Sequence, residues 1–283
     1  MRLKDRVAIV VGAGQSPGEG MGNGRATALT FAREGAKVLC VDRDLISAQE
    51  TVDMIAAKGG TAAAFKADVT KDAEIKAMVS DVMKRWGRID VLHNNVGVSL
   101  AGGDAELLSI SEEAFDRCVA INLKSCILAA KHVIPIMRQQ KSGAIINISS
   151  MAAITTYPYV AYKATKSAMI AFTEQLAYQN ADYGIRANVI LPGLMIETEG
   201  IQSKLEPLAR AILKGAREMA REIEMSVETF AEIKRHLSNE EMVDLVLTIA
   251  FYCAVVRVLA TMKIDNEPYY KEVLQQYPIP GVN

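Results

Sequence analysis

Two tyrosine–lysine pairs with a four-residue spacing stand close together in the chain. Tyr162 and Lys166 form one pair, and Tyr159 and Lys163 form the other. Residues four apart on a helix share a face, so either lysine would place its ammonium beside a phenol. A neighbouring ammonium favours the phenolate, and moving a phenol pKa from about 10 to about 7 takes roughly 4 kcal/mol. Such a pair could take a proton from an alcohol or return one to a ketone.

A run of glycines follows the first predicted strand and opens the first predicted helix. These glycines are Gly12, Gly14, Gly18, Gly20, Gly22 and Gly24. Glycines let the backbone approach a pyrophosphate, and free amides at a helix N-terminus stabilise its negative charge. About twenty residues later, Asp42 ends the second strand, where an acid can accept hydrogen bonds from ribose hydroxyls and would repel a 2′-phosphate. Asp42 favours NAD over NADP, whereas the adjacent Arg43 would suit a 2′-phosphate.

Short apolar strands alternate with longer helical patterns over the first 195 residues. The predicted strands cover residues 6–11, 37–41, 61–67, 90–93, 144–149 and 186–191. Helical patterns at about 25–34, 45–58, 72–86, 112–139 and 160–182 separate them. Apolar strands joined by helices are typical of βαβ units. We therefore predict an α/β fold, a Rossmann doubly wound parallel sheet of six strands with both faces covered.

The pattern changes near residue 196. Sixteen of the 19 glycines lie in residues 1–195 and only three in residues 196–283, where helices are predicted at about 203–224, 226–236, 239–262 and 268–276. Ser226 and Ser238 are predicted helix N-caps, and Ser238 with Glu241 makes a capping-box pattern. We therefore predict a nucleotide-binding domain over residues 1–195 and an all-helical C-terminal extension over residues 196–283.

Composition and charge disfavour several classes of protein. The 32 basic and 33 acidic residues give a net charge of −1, so we expect no nucleic-acid partner. The charged start and a longest uncharged apolar stretch of twelve residues (245–256) predict neither a secretion signal nor a membrane span. The four cysteines lack CxxC spacing and the three histidines lack ligand spacing. We expect reduced thiols, a cytoplasmic location and no metal site.

Residues 5 to about 195 resemble the short-chain dehydrogenase/reductase family, whose motifs occur here in the family's order. Those motifs are the glycine loop, Asp68-Val69, Asn94-Asn95-Val96-Gly97, Asn122, Ser149-Ser150, the YxxxK element and Pro192-Gly193. The resemblance implies a nicotinamide cofactor, with NAD preferred to NADP because of Asp42. The cofactor-binding residues it implies are Gly12, Gly22, Gly24, Asp42, Asp68, Val69, Asn95, Gly97, Tyr162, Lys166, Pro192 and Gly193.

The resemblance also implies roles at the catalytic centre. It favours Tyr162 over Tyr159 as the acid/base, because small residues follow Tyr162 as they do in the family. Lys166 would be the electrostatic partner of the phenol and a ligand of the nicotinamide ribose. Asn122 would anchor a water that connects Lys166 to solvent.

Either of two adjacent serines could hold the substrate oxygen. Ser149 lies 13 residues before Tyr162, which is the family's usual spacing. Ser150 matches the second serine of the family's pair, with a loop that is one residue shorter. We prefer Ser150.

The chain departs from the family in two places. Nine residues separate Gly12 from Gly22 where the family has three, so we expect the loop to bulge beside the pyrophosphate. After Pro192-Gly193 the family's substrate loop and seventh strand are missing, and we expect the helical extension to cover the open edge of the sixth strand. Residues 226–280 resemble the terminal helices of carboxymuconolactone decarboxylase-like proteins, which implies helices and a tendency to oligomerise.

These expectations define a leading function and two alternatives. The leading one is an oxidoreductase that transfers a hydride between NAD(H) and a small secondary alcohol or ketone with a mostly apolar body, as a homodimer or homotetramer. The first alternative is a nucleotide-binding oligomer whose catalysis is impaired or lost because the substrate lid and seventh strand are replaced. A separate decarboxylase-like or peroxidase-like role for the extension is disfavoured by the absent CxxC.

Overall fold

The computed structural model describes residues 1–15, 21–193, 207–222 and 224–247. The chain divides into two units, Met1–Glu199 and Gly200–Asn283. The first unit contains the strands β1 (Val7–Val11), β2 (Lys37–Asp42), β3 (Thr61–Lys66), β4 (Val91–Asn94), β5 (Gly143–Ile148) and β6 (Ile185–Ile190). Every predicted strand end lies within one residue of the observed end. The assignment of domains to residues 1–195 and 196–283 stays a prediction.

The six strands form one parallel sheet in the order β3-β2-β1-β4-β5-β6. At its centre, Ile9 of β1 is paired with Leu39 of β2 on one side and with Leu92 of β4 on the other. The direction of strand addition reverses between β1 and β4, and ligands of such sheets bind at the carboxyl ends of the strands near this reversal. The predicted Rossmann fold is confirmed.

Helices cover both faces of the sheet because all five residues of the central strand β1 are apolar and buried, and successive side chains point to opposite faces. The helices of this unit are α1 (Asn23–Arg33), α2 (Leu45–Ala56), α3 (Asp72–Trp86), α4 (Glu112–Val119), α5 (Ser125–Gln140) and α6 (Val160–Asn180). Ile9 and Val11 pack in one core cluster with residues of α3, α5 and α6. Ala8 and Val10 pack in a second cluster with residues of α1 and α2.

The edge strand β6 corrects the expectation that no strand has a solvent-exposed face. Its alternate residues Arg186, Asn188 and Ile190 are exposed, while Ile185 is buried. This is the period-two pattern of a strand with one solvated face. The apolar composition of residues 186–191 therefore overstated the burial of this strand.

A turn of π-helix, Ala120–Lys124, joins α4 to α5, so that Glu112–Gln140 forms one helix of 29 residues. By length and composition this helix could span a membrane. Its buried Val133 and Met137 belong instead to the core cluster that contains the central strands. We therefore interpret it as a layer helix of the Rossmann fold.

The second unit is helical in its described residues. It contains α7 (Pro207–Glu222), α8 (Val227–Lys234) and helical residues 239–247, around buried Ala211, Ile233 and Met242. The Ser226 hydroxyl accepts from Thr229 N at 3.3 Å. The predicted caps are thus confirmed, together with the Ser238–Glu241 capping box. The predicted helix at 268–276 lies outside the described residues.

Candidate active site

Helix α6 carries both residues of the preferred tyrosine–lysine pair near its first turn. The Lys166 amine lies 5.6 Å from the centre of the Tyr162 ring. Only 2% of Lys166 is exposed, and its Nζ donates to the carbonyl of Ile148, the last residue of β5, at 2.6 Å. A Cβ added to Gly97 would lie 3.0 Å from this Nζ, so the loop after β4 passes directly against the amine. The lysine is therefore held between the carboxyl ends of β4 and β5.

The pKa values at this pair both reflect burial. Burial lowers the pKa of Lys166 to about 8. Burial also raises the pKa of Tyr162, and the nearby Ser150 hydroxyl opposes that rise only in part. This direction is opposite to the lowering that we expected from the neighbouring ammonium. The reason is geometric, because the ammonium donates to the Ile148 carbonyl while the phenol is shielded from water.

The two candidate serines have different partners. The Ser149 hydroxyl is buried and donates to the backbone carbonyl of Lys166 at 2.7 Å, which ties β5 to α6. The Ser150 hydroxyl accepts from Ala152 N at 3.2 Å and lies near enough to the Tyr162 phenol to lower its pKa. Ser150 is the serine that the structure brings to the phenol.

Asn122 lies in the π-helical turn and is fully buried. Its side chain accepts from Val98 N at 2.7 Å and donates to Val98 O at 2.8 Å, and it also donates to the Thr165 hydroxyl. The backbone carbonyl of Asn122 accepts from Cys126 Sγ at 3.5 Å. The asparagine thus joins the loop after β4 to α6, and its role in anchoring a water stays a prediction.

The alternative tyrosine does not enter the helix. Tyr159 is the residue that precedes α6, and Lys163 donates to the carbonyls of Ala152 and Thr155. This second lysine therefore stabilises the loop between β5 and α6.

The glycine loop forms a close backbone cradle at the carboxyl end of β1. Gly12 has a φ of +82°, a conformation that L residues rarely adopt. A Cβ on Gly24 would lie 1.7 Å from the Gly12 carbonyl, and the Asn95 side-chain amide donates to the same carbonyl at 3.2 Å. The N-terminus of α1 lies beside this cradle, and its first amides have no partner within the helix. Gly22 N donates to Gln15 Oε1. Residues 16–20 of the loop lie outside the described part of the chain.

Asp42 at the end of β2 faces the same loop. One carboxylate oxygen accepts from Gly14 N at 3.0 Å and the other from Asp44 N at 3.1 Å. Arg43 is exposed. Arg25, the other arginine close to the loop, is paired with Glu50 at 2.8 Å. The described arrangement places the Asp42 carboxylate beside the position that the adenosine ribose occupies in a Rossmann site.

The remaining predicted cofactor residues lie along the same edge of the sheet. Asp68 follows β3, and hydrogen bonds from the side chain and backbone of Thr70 hold the pKa of its carboxyl below the usual range. Val69 is half-buried against the core. The Pro192 carbonyl accepts from Met151 N at 3.0 Å, and a Cβ on Gly193 would meet nothing within 4 Å. The predicted site residues therefore lie at the carboxyl ends of strands, in the loops that follow them, at the N-terminus of α1, on α6 or in the π-helical turn.

Sequence reasoning missed Asp104, which is 3% exposed. Its carboxylate accepts from the backbone amides of Ala161 and Tyr162 in the first turn of α6. A signal was present in the sequence, because Tyr159 has no cap-forming side chain and the first turn of α6 needed acceptors from elsewhere. The described residues contain no cluster of three metal-ligating side chains.

The sequence profile of the family described as short chain dehydrogenase matches residues 6–208. This protein belongs to the short-chain dehydrogenase family. An uncharacterised oxidoreductase of Thermotoga maritima is 36% identical to this short-chain dehydrogenase over 207 residues, which are 73% of this chain and 78% of that one. Family members are oxidoreductases that use NAD or NADP, act on small molecules and are typically oligomeric.

Two solved structures of similar proteins hold different cofactors. A 7α-hydroxysteroid dehydrogenase complexed with NADH and 7-oxo glycochenodeoxycholic acid is 29% identical, with a TM-score of 0.68 over 76% of this chain and 81% of that one. A metagenomic short-chain oxidoreductase in complex with NADP is 31% identical, with a TM-score of 0.63 over 69% of this chain and 85% of that one. The choice between NAD and NADP in this short-chain dehydrogenase therefore has to be argued from its own residues.

Proposed function

We propose that this protein transfers a hydride between NAD(H) and a small secondary alcohol or ketone, with Tyr162 as the acid/base. The observation that carries the proposal is the meeting of three groups: the Tyr162 phenol, the Ser150 hydroxyl that lowers its pKa, and the buried Lys166 amine 5.6 Å from the ring centre. The glycine cradle and Asp42 fit a dinucleotide, since a Cβ on Gly24 would fill the space against Gly12. When bound, the nicotinamide supplies the hydride donor or acceptor.

The proton chemistry belongs to the chain's own residues. Ser150 holds the substrate oxygen beside the Tyr162 hydroxyl, which gives its proton to a ketone or takes one from an alcohol. Lys166, with a pKa of about 8, is mostly protonated at neutral pH. Its ammonium would favour the Tyr162 phenolate when the phenol gives up its proton. Because burial raises the pKa of Tyr162, the described arrangement holds a protonated phenol, the form from which reduction of a ketone starts.

Other parts of the proposal rest on the surroundings of the site. Asn122, by tying Val98 to α6, would keep the β4 loop against Lys166.

Leu107 and Leu108 are exposed. Exposed apolar side chains of this size support a homodimer or homotetramer. Sedimentation would then give two or four chain masses. The free, buried thiols of Cys40, Cys118 and Cys126 support a cytoplasmic location. The C-terminal helices would serve as an extension without chemistry of their own.

The acid/base role is tested by replacing each of the two candidate tyrosines. Turnover is followed by absorbance at 340 nm with a panel of secondary alcohols and ketones, in wild type, Tyr162→Phe and the matched control Tyr159→Phe. We expect Tyr162→Phe to lose at least about 100-fold in kcat while NADH still binds. Tyr159→Phe should stay within a few-fold of wild type, because its hydroxyl lies outside the proposed proton path.

Three outcomes would count against the acid/base assignment or the enzyme. If Tyr159→Phe alone loses activity, the acid/base belongs to the Tyr159–Lys163 pair. If wild type and both variants are equally inactive on the whole panel while NADH binds, the protein is a nucleotide-binding oligomer and hydride transfer is wrong. If NADH does not bind, the nucleotide site itself is wrong.

The cofactor preference is tested at Asp42. We expect wild type to bind NADH at least about tenfold more tightly than NADPH, which corresponds to about 1.4 kcal/mol, because the carboxylate repels a 2′-phosphate. Asp42→Asn should narrow this difference in a fluorescence titration. The control Asp44→Asn alters the neighbouring carboxylate that caps α2 and should keep the preference. Tighter binding of NADPH by the wild type would contradict the assignment.

A further inference from the structure

The first turn of α6 is capped by a segment that lies 57 residues earlier in the chain. Val160, Ala161 and Tyr162 are the first three residues of the helix, and each has a backbone amide without a partner inside the helix. Val160 N donates to the Ala105 carbonyl at 3.0 Å. Ala161 N and Tyr162 N donate to the two carboxylate oxygens of Asp104, each at 2.9 Å. Residues 104 and 105 thus satisfy all three amides.

The Asp104 carboxylate is buried and fully engaged. Besides the two amides, it accepts from the Ser99 hydroxyl at 3.2 Å. A buried carboxylate is costly unless hydrogen bonds and positive charge compensate it. The N-terminus of α6 supplies both, because its amides donate and the positive end of the helix dipole faces the carboxylate.

A hydrogen-bonded chain extends this contact to the ring beside Tyr162. The hydroxyls of Ser99 and Tyr157 lie 3.0 Å apart. Since Ser99 donates its proton to Asp104, Tyr157 is the donor in that pair. The rings of Tyr157 and Tyr162 pack with their centres 5.3 Å apart. Asp104 is therefore linked to Tyr162 twice, directly through the Tyr162 backbone amide and indirectly through Ser99 and the Tyr157 ring.

We propose that Asp104 is a positioning residue for Tyr162, holding the first turn of α6 and the Tyr157 ring so that the phenol stays at Ser150 and within reach of Lys166. This inference rests on the proposed acid/base function of Tyr162. Asp104 does not touch the reacting atoms. It acts through the backbone of the tyrosine, which no local cap of α6 fixes, since Tyr159 makes no side-chain cap.

Asp104→Asn is the sharpest variant because it keeps the shape of the side chain. The amide group retains one acceptor oxygen but turns an NH2 group toward the second backbone amide, which then has no acceptor. We expect kcat to fall by between about tenfold and 100-fold, as for a small misplacement of a reacting group. The KM for NADH should stay within about twofold, a fold-change worth about 0.4 kcal/mol.

Ser111→Ala is the matched control, since it removes the N-cap of α4. It should lower thermal stability by an amount typical of a lost cap without changing kcat. Both proteins are assayed at a temperature where each is fully folded. If Asp104→Asn and Ser111→Ala have the same kcat, Asp104 is only a structural cap and the inference is wrong.

A second measurement does not depend on turnover. In protein labelled with 13C at tyrosine Cζ, the resonance that Tyr162→Phe removes reports the titration of the Tyr162 phenol, whose charged and aromatic neighbours here are Lys166 and Tyr157. We expect Asp104→Asn to move this titration and the pH profile of kcat, and Ser111→Ala to move neither. An unchanged titration overturns the inference even if the panel yields no substrate, whereas a shifted titration with no turnover would contradict only the proposed function.

Discussion

Lys166 keeps an amine in the core although the fold gains nothing in stability from its charge. Its pKa of about 8 against an ordinary 10.5 corresponds to about 3 kcal/mol against the charged form at neutral pH. A residue whose only role was packing could be methionine or leucine at this position. Such perturbed groups cluster at functional sites, so the buried ammonium favours the enzyme over an oligomer that only binds nucleotide.

His93 gives the fold a dependence on acid pH. Burial lowers its pKa to about 4 from 6.5, and its Nδ1 has no partner among the described residues. The unfolded chain therefore binds the proton first, so stability is complete above about pH 6.5 and falls as the pH drops toward 4. We expect protonation of His93 to lower the free energy of unfolding by about 2 kcal/mol between pH 7 and pH 5. Urea denaturation at the two pH values measures this difference.

Two variants isolate this effect from the titration of carboxylates. His93→Leu removes the titrating ring beside Phe31 and should lose about 2 kcal/mol less than wild type between the two pH values. His236→Gln replaces a partly exposed histidine of the second unit and should behave as wild type. Equal pH dependence in wild type and His93→Leu would contradict the assignment.

Sequence reasoning at the residue level succeeded where the contact was local and failed where it was distant. The Tyr162–Lys166 pair and the Ser238–Glu241 box depend on spacings of four and three residues, which a helix fixes. Ser149 and Ser150 were harder to separate, since only the end of β5 decides which hydroxyl faces the phenol. The role of Asp104 was not predicted, because its hydrogen-bond partners lie 57 and 58 residues away in the sequence.

Among the elements, the turn from β1 into α1 depends on one close backbone contact. A Cβ at Gly24 would lie 1.7 Å from the Gly12 carbonyl, so Gly24→Ala must move α1 away from β1. We expect NADH affinity to fall by at least about tenfold, since the helix N-terminus would leave the pyrophosphate. Isothermal titration with NADH measures this change.

Gly59→Ala is the control for the general cost of replacing a glycine. Gly59 has a φ of +75°, and an added Cβ there meets nothing within 4 Å. It should lower stability by about 1–2 kcal/mol without changing NADH affinity, because it lies before β3 at the opposite edge of the sheet. Normal NADH binding by Gly24→Ala would refute the expected contact with the cofactor.

The order of the elements was predictable because the strands are short apolar runs, whereas apolar residues in the helices recur with the helical period. The solvated face of β6 was not, since Ile190 is exposed although the composition of the strand suggested burial. The direction of the Tyr162 pKa shift was not predictable either. It depends on where the Lys166 amine points, and the Ile148 carbonyl that it reaches is 18 residues distant.

At the scale of the whole molecule, the two units have separate cores. The first unit contains both clusters that cover the sheet, and the second has its own cluster around Ile233. We expect a protein ending at Glu199 to unfold cooperatively and to bind NADH within about threefold of the full chain, or about 0.7 kcal/mol. Thermal denaturation followed by circular dichroism and an NADH titration measure both properties.

The outcome also decides between two roles for the extension. Cooperative unfolding with normal NADH binding would support a nucleotide-binding domain that needs no extension. A shortened protein that aggregates or loses its transition would contradict this and would fit the expectation that the extension covers an edge of the sheet.

The π-helical turn at Ala120–Lys124 limits which deletions in the gene the protein can tolerate. Each residue of an α-helix advances the side chains by 100°, so deleting one codon there would turn Asn122 away from Val98 while leaving composition and hydropathy almost unchanged. A surface loop absorbs such a deletion at little cost. In this helix the number of residues, and not only their identity, therefore determines whether the Asn122 side chain reaches Val98.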